Sequence, residues 1–218
     1  MAPALAVIDE CVLRFFDAAD GVRAELATDA DRDAIYRLRY RVVRARGWAD
    51  PAAFPDGRER DADDDRAVHV VAWAGEQLAA TTRIILPSPG KRLPTEATFD
   101  VTVEPCGRVA NIDRVAVAPE FSDPRHGVLL ATLGRAWQEV RALGYRHWVG
   151  VSTVGMIRLY RLAGMQMTVL GPPRRYWGEE RIPVLFDPIA SAPRLARRWL
   201  GQESVVYSPV TNSSYPPT

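Results

Sequence analysis

The segment from Arg108 to Pro119, reading RVANIDRVAVAP, constrains the fold more than any other part of the chain. Its apolar, β-branched pattern predicts a strand over 108–117, closed by a proline that cannot extend a ladder. Alternation puts Asn111 and Asp113 on one face of that strand and Arg114 on the other. Two polar side chains on one face are costly inside a plain core. The strand is therefore either an edge with one wet face or a central strand carrying a site. Helical patterns on both sides place it centrally.

The helix that follows, over 127–143, carries Leu129, Leu133, Ala136, Trp137 and Val140 on one stripe, with Gly144 as its stop. A strand over 146–152, a helix over 154–163 closed by Gly164, and strands over 165–170 and 181–186 come next. Upstream, a strand over 22–27 runs into the Thr28-Asp29-Ala30-Asp31 helix start. The predicted helix over 29–45 carries Ile35, Leu38 and Val42 at helical spacing and ends at Gly47. Strands over 68–74 and 78–86 flank the tight turn Gly75-Glu76. The order β-α-β-β-β-α-β-α-β-β, with a meander in its middle, predicts an α/β (α+β) domain with a mixed sheet rather than a Rossmann fold. Residues 1–21 read as an extension, 22–187 as the domain, and 188–218 as a short helix over 194–200 with a loose tail. The segment 87–105 reads as irregular, and at that length as functional or mobile.

Composition excludes several classes. With 47% apolar and 25% charged residues the chain can bury an ordinary core, and its net charge of +1 gives no general attraction to nucleic acid or membrane. Two cysteines, Cys11 and Cys106, and three scattered histidines form neither a disulfide framework nor a metal-ligand spacing. The acidic residues Asp9 and Glu10 argue against a signal peptide, and no apolar run approaches the ~20 residues of a membrane span. The expected setting is the cytoplasm of a bacterium, with arginine in place of nearly every lysine.

Strand 108–117, its following helix, strand 146–152 and the segment Arg158-Leu-Tyr160-Arg-Leu-Ala-Gly164-Met165 together resemble the core of the GNAT acyltransferases. The resemblance implies two central strands that splay apart, with the pantetheine arm of an acyl thioester between them, flanked by helices. It implies donor contacts at Val115, Ala116 and Val117, and makes Tyr160 the candidate proton donor to the departing thiolate. A lone helical tyrosine is otherwise more often simply packed.

The N-terminal half narrows the match. Arg39 through Trp48, the acids Asp61 and Asp64 with His69 after them, and Thr82-Arg83 resemble the acyl-homoserine-lactone synthases and the long-chain N-acyl amino acid synthases. Arg39, Trp48, Asp61, Asp64, Arg83 and Arg114 fall on that group's substrate-binding positions. The implied activity moves an acyl group from acyl carrier protein or acyl-CoA, as co-substrate rather than permanent cofactor, to an amine of an amino acid or its derivative. No nucleic acid partner and no metal are implied.

Two departures stand out. The group's glutamate falls on the neutral Asn111, leaving Asp113 as the nearest carboxylate able to take the amine proton, or Asn111 to act through water. The phosphate loop of CoA-using relatives is reduced to Arg125 and Gly127, which favours a carrier-protein donor. Asp61 and Asp64 also read as an ordinary solvated acidic loop. Gly150-Val-Ser152 does not have the spacing of a nucleophile elbow. The alternatives are a GNAT-like acyl-chain or carrier-protein sensor without chemistry, and an ordinary acetyl-CoA-dependent acetyltransferase.

Overall fold

The structure, a computed structural model, describes residues 1–202. The chain opens with a helix that the sequence reading passed over as an extension. Helix α1 (Ala2–Asp17) buries Ala4, Leu5, Ile8, Cys11, Val12 and Phe15, a stripe at helical spacing. It lies in the principal core, against the helix after the polar strand and the C-terminal helix.

Strand β1 (Val22–Leu26) leads to a single turn, Asp29–Asp31, where the Thr28 amide donates to Asp31 Oδ2 at 2.7 Å. Helix α2 (Arg32–Arg46) follows and is closed by Gly47 at φ 63°. Strands β2 (Val68–Ala74) and β3 (Gln77–Ile85) form the expected hairpin. Segment 87–105 is packed rather than irregular. It contains helix α3 (Pro94–Phe99) and buries Leu93, Thr95, Phe99 and Val103. The helix is only one and a half turns long, too short for its periodicity to register.

Strand β4 (Val109–Val117), helix α4 (Gly127–Ala142), strand β5 (His147–Ser152) and helix α5 (Val154–Leu162) match the sequence expectation closely. The end of the domain differs from it. Strand β6 (Met167–Val169) is short, and the Arg-rich stretch read as a loop is strand β7 (Arg174–Tyr176), hairpinned to strand β8 (Glu179–Phe186). Helix α6 (Pro188–Leu195) begins well before the predicted 194–200 helix. It carries Pro193 inside it and packs on α1. Proline's missing N–H hid the helix from a pattern reading.

The sheet order is β1-β2-β3-β4-β5-β8-β6, with β7 on β8. Every pairing is antiparallel except β4 with β5. Strand β4 is therefore central, and the edge reading of it falls. One sheet face, with Val70, Ile84, Ala110 and Ile112, buries against α1, α4 and α6. The other face carries Arg83, Asn111 and Asp113.

The parallel ladder consists of Val109↔His147, Ala110↔Trp148 and Asn111↔Val149, and stops there. Beyond it β5 continues along β8 as far as Ser152, while β4 continues along β3. The two strands thus part into the predicted wedge. At its vertex a Cβ on Gly150 would stand 2.5 Å from the Ile112 carbonyl oxygen. Both groups are backbone, so neither can yield cheaply. Gly150→Ala should cost about 1–3 kcal/mol of stability, read as a lower urea midpoint with unchanged m-value. Gly155→Ala, whose Cβ would meet only Thr153 Oγ1 at 3.8 Å, should shift the midpoint little.

Candidate active site

Just past the vertex the alternation of β4 breaks. Thr81 pairs with Ala116 and Arg83 with Asp113, so β4 carries one residue more than β3 over this interval. Arg114 sits in this bulge with φ 51°. A bulge of this kind usually places glycine there, since the left-handed region costs other residues about 1–2 kcal/mol. The bulge corrects the sequence expectation that Arg114 faces away from Asp113: both side chains reach one cluster.

That cluster holds the guanidiniums of Arg39, Arg83 and Arg114 and the carboxylates of Glu59, Asp61, Asp64 and Asp113. Arg39 comes from the buried side of α2 and donates through Nε to Glu59 and through its terminal nitrogens to Asp64 at 2.7 and 3.2 Å. Arg83 grips Asp113 at 2.8 and 3.0 Å and Asp61 at 2.6 and 3.3 Å. Arg114 donates to Glu59 at 3.0 Å and Asp61 at 2.7 Å, with its guanidinium over the Trp177 ring. Asp61 and Asp64, three apart, also cap a single turn, Ala62–Arg66: the Asp61 amide donates to Asp64 Oδ2 at 2.8 Å, and the Asp63 amide donates to Asp61 Oδ1. The solvated-loop reading fails for Asp64, which is buried, while Asp61 stays exposed but is held by Arg83 and Arg114.

The electrostatics follow from this saturation. Burial opposes the charge on Arg83, but Asp113, Asp61 and Asp64 outweigh it and raise its pKa. Arg114 is likewise raised, by Glu59 and Asp113 against burial. Burial also works against Asp64, yet Arg39, the Asp61 amide and Arg83 bring its carboxyl down to about 2. His69 lies beside the cluster with Nε2 3.5 Å from Asp64 Oδ1, and among the described residues neither ring nitrogen has a hydrogen-bond partner. Burial lowers its pKa despite Asp64, so it is neutral at ordinary pH. Four carboxylates against three guanidiniums leave the cluster one negative charge in excess. Among the described residues no group of His, Cys, Asp and Glu is arranged to hold a metal ion.

The wedge opens into a cavity of about 800 Å³ with the cluster on one wall. Glu59, Arg39, Asp113 and Arg114 line its polar end, and Ile112, Leu129, Leu133, Trp148, Met156 and Leu159 its apolar end. Val115, Ala116 and Val117, the expected donor contacts, border it along the stretch of β4 that is unpaired toward β5. Tyr160 borders it from α5; burial pushes its hydroxyl up to about 12, and a hydrogen bond with Ser152 offsets this only in part. The β7–β8 hairpin closes the mouth with Tyr176, Trp177, Glu179 and Arg181. Gly178 lets the hairpin tip dock on the end of α2, where a Cβ would meet Trp48 Cα at 3.0 Å. Trp48 lines the cavity beneath Arg181.

Six candidates do not line the cavity: Asp61, Asp64 and Arg83, which belong to the cluster, and Asn111, Arg125 and Gly127, which lie outside it. Asn111 is fully buried, and its Oδ1 accepts from the Thr95 amide at 3.0 Å and the Thr95 hydroxyl at 2.6 Å, tying α3 to β4. Its oxygen serves as a structural tie, while its buried Nδ2 has no hydrogen-bond partner among the described residues. The amides of Arg125 and Gly127 donate to Asp123 at 2.7 and 3.0 Å, so an internal carboxylate already occupies the start of α4. Gly127 is required by packing, because a Cβ there would lie 2.6 Å from the Ala18 carbonyl oxygen. Conversely, the sequence reading missed Glu59 and Arg181. Glu59 lies in an Arg-Glu-Arg-Asp run that resembles solvated surface, and nothing in its pattern signals burial.

Comparison with known proteins agrees with this geometry. The sequence matches the family model described as N-acyl amino acid synthase FeeM over residues 34–184. No curated protein matches it. Among solved structures it is similar to the AHL synthase LasI, with TM-score 0.65, 17% identity, and 86% of this chain and 98% of that one covered. It is also similar to TofI in a ternary complex with an inhibitor and MTA, with TM-score 0.64, 22% identity, and 80% and 95% covered. FeeM, an N-acyl amino acid synthase from uncultured soil microbes, superposes with TM-score 0.58 at 18% identity, covering 82% and 95%. These likenesses bear out the GNAT-like fold.

The depressed carboxyl of Asp64 gives an acid limb of defined sign. A group whose folded pKa lies below its unfolded value of about 3.9 contributes stability above that pH and loses it as pH falls. Wild-type stability should therefore drop between pH ~4 and the folded value of about 2, read from urea midpoints across that range. Asp64→Asn should cost about 3–5 kcal/mol at neutral pH, because it strands buried guanidiniums, and should flatten that limb.

Proposed function

This chain belongs to the FeeM N-acyl amino acid synthase family and is an N-acyltransferase; from that premise we propose that it takes an acyl chain from a phosphopantetheine thioester on acyl carrier protein and gives it to the amine of an amino acid or its derivative. The observation that carries this reading is the wedge itself. The β4–β5 ladder ends at Asn111↔Val149, and the unpaired edge beyond it borders a cavity with a charged wall and an apolar end.

On this reading pantetheine lies along Val115, Ala116 and Val117, whose free backbone groups pair with it and polarise the thioester carbonyl. The acyl chain runs toward Leu129, Leu133 and Trp148. The amine approaches from the side of Asp113 and Glu59. Each oxygen of Asp113 accepts one bond from Arg83, which leaves lone pairs for the amine or a water beside it. The N–C bond forms, the C–S bond breaks, and the proton lost by the amine finishes on the thiolate. Tyr160, with a pKa near 12, keeps its own proton and steadies the thiolate by donating a hydrogen bond. Tyr160→Phe and Asp113→Asn should each lower kcat about 10²-fold without loss of fold, measured as thiol release. Wild-type turnover in both variants would remove this mechanism.

Two observations favour a carrier protein over free CoA. Asp123 at the start of α4 would repel a diphosphate. From Val140 through Gly178 the sequence contains no Asp or Glu, and Arg158 and Arg161 stand exposed on α5 within that stretch. Such a face suits an acidic protein surface. Charge reversal, Arg158→Glu with Arg161→Glu, should raise KM for acyl carrier protein thioesters about tenfold or more while barely changing KM for acyl-CoA. The sensor alternative rested on the neutral Asn111, and it weakens once Asp113 and Glu59 are seen to furnish carboxylates at the cavity. An apolar end of this extent favours chains longer than acetyl.

A further inference from the structure

One cation at the cavity mouth lacks the pairing that its neighbours have. Arg39, Arg83 and Arg114 each donate to two carboxylates within hydrogen-bond distance. Arg181 lines the same cavity with its side chain only 14% exposed, yet its one near carboxylate, on the more exposed Glu179, stays 3.7 Å away. Its Nε donates to the Tyr176 carbonyl at 3.1 Å, and its guanidinium lies over the Trp48 ring at 4.6 Å. These contacts fix the plane of the group and leave its terminal nitrogens without a firm partner. Burial, together with repulsion from Arg114, lowers its pKa below that of an ordinary arginine. A desolvated guanidinium of fixed orientation, compensated only by a long pair with Glu179, is a ready site for a carboxylate, which it can hold by two parallel hydrogen bonds. The buried Nε1–H of Trp48, which also lines the cavity, has no hydrogen-bond partner among the described residues.

The opposite sign is supplied across the cavity. Glu59 and Asp113 belong to a cluster with one carboxylate more than it has guanidiniums, and His69 beside it is neutral. The cavity lining therefore carries a weakly compensated cation and, in Glu59 and Asp113, members of a cluster with an excess anion. That pattern complements a molecule bearing both an amine and a free carboxylate. We infer that Arg181 reads the free carboxylate of the acceptor, so that the acceptor is an amino acid with an unblocked carboxylate, held with its nitrogen toward Asp113 and Glu59. This assignment rests on the N-acyltransferase reading. It adds the residue that selects the acceptor and the group by which it does so.

The test uses the full chain and two readouts. In turnover with a saturating long-chain acyl donor, a panel of amino acids should be preferred over the matching amino acid amides and methyl esters by about 10²-fold in kcat/KM. Arg181→Gln should raise KM for the free acids about 10²-fold, leave KM for the donor unchanged, and erase the preference over amides. Glu179→Gln removes the rival anion and should lower KM for free acids a few-fold, with a smaller change for amides. Equilibrium titration of the same panel, followed by calorimetry, reads the site without chemistry. Binding of free acids that is lost in Arg181→Gln supports the assignment even where no thiol is released, and in that case only the catalytic reading fails. Amides bound as tightly as acids by the wild type, or acids bound undiminished by Arg181→Gln, would overturn it.

Discussion

Where β5 passes the Ile112 carbonyl, the backbones of the two central strands approach so closely that no side chain fits between them, and Gly150 supplies none. Everything beyond that contact diverges. Strand β5 stays with β8 and β4 stays with β3, because each has a full antiparallel partner on its outer side and only three residue pairs on the inner one. The unpaired edge of β4 would be an unsatisfied liability in a closed core. Here it borders solvent-accessible space, where a ligand backbone can take the place of a strand. The bulge two residues on increases the local twist and turns Arg114 out of register, so the vertex and the charged wall arise from the same short stretch of chain.

The charged cluster is poorly explained as a source of stability. Buried ion pairs lose in desolvation much of what they gain in attraction, and an apolar replacement of the same volume often does as well. What the cluster accomplishes is arrangement. Arg39 from α2, Arg83 from β3 and Arg114 from β4 hold four carboxylates from two parts of the chain. The loop around Asp61 is thereby fastened over the strand, and Arg114 is kept at φ 51° against its own preference. Trp177 completes the link by stacking on Arg114, while Gly178 seats the same hairpin against Trp48. The donor edge and the mouth are thus held relative to each other by side chains that already have their partners.

How much of this was readable in the sequence depended on the length and regularity of each piece. Helices α2, α4 and α5 and strands β2, β3 and β4 carry full periods bounded by caps or glycines, and their expected limits nearly coincide with the observed ones. Helix α1 carries an equally legible stripe, Leu5, Ile8, Val12 and Phe15, at helical spacing. Helix α3 and strand β7 are too short to establish a period, and Pro193 disguised α6. Of the site, the fold brings Arg39, Asp61, Asp64, Arg83, Asp113 and Arg114 together, although strand alternation alone sets Arg114 on the face opposite Asp113. The bulge was invisible because arginine, rather than glycine, occupies it. Glu59 and Arg181 were invisible because burial of a loop or hairpin charge is decided by partners distant in sequence.

The departures at Asn111 and at the start of α4 make sense together. An acid at position 111 would face the Thr95 hydroxyl and amide within a fully buried setting, away from the guanidiniums that neutralise Asp113. Asparagine accepts the same two hydrogen bonds without bringing a charge that would need an additional cation. The carboxylates at the cavity come instead from Asp113, two residues along the same strand face, and from Glu59 in the loop. At α4 the amides of Arg125 and Gly127 are taken up by Asp123. On the carrier-protein proposal, a donor bound only by its small-molecule part would forgo part of the anion contact that a helix start offers, and affinity for the thioester would be supplied by the acid-free stretch that includes α5.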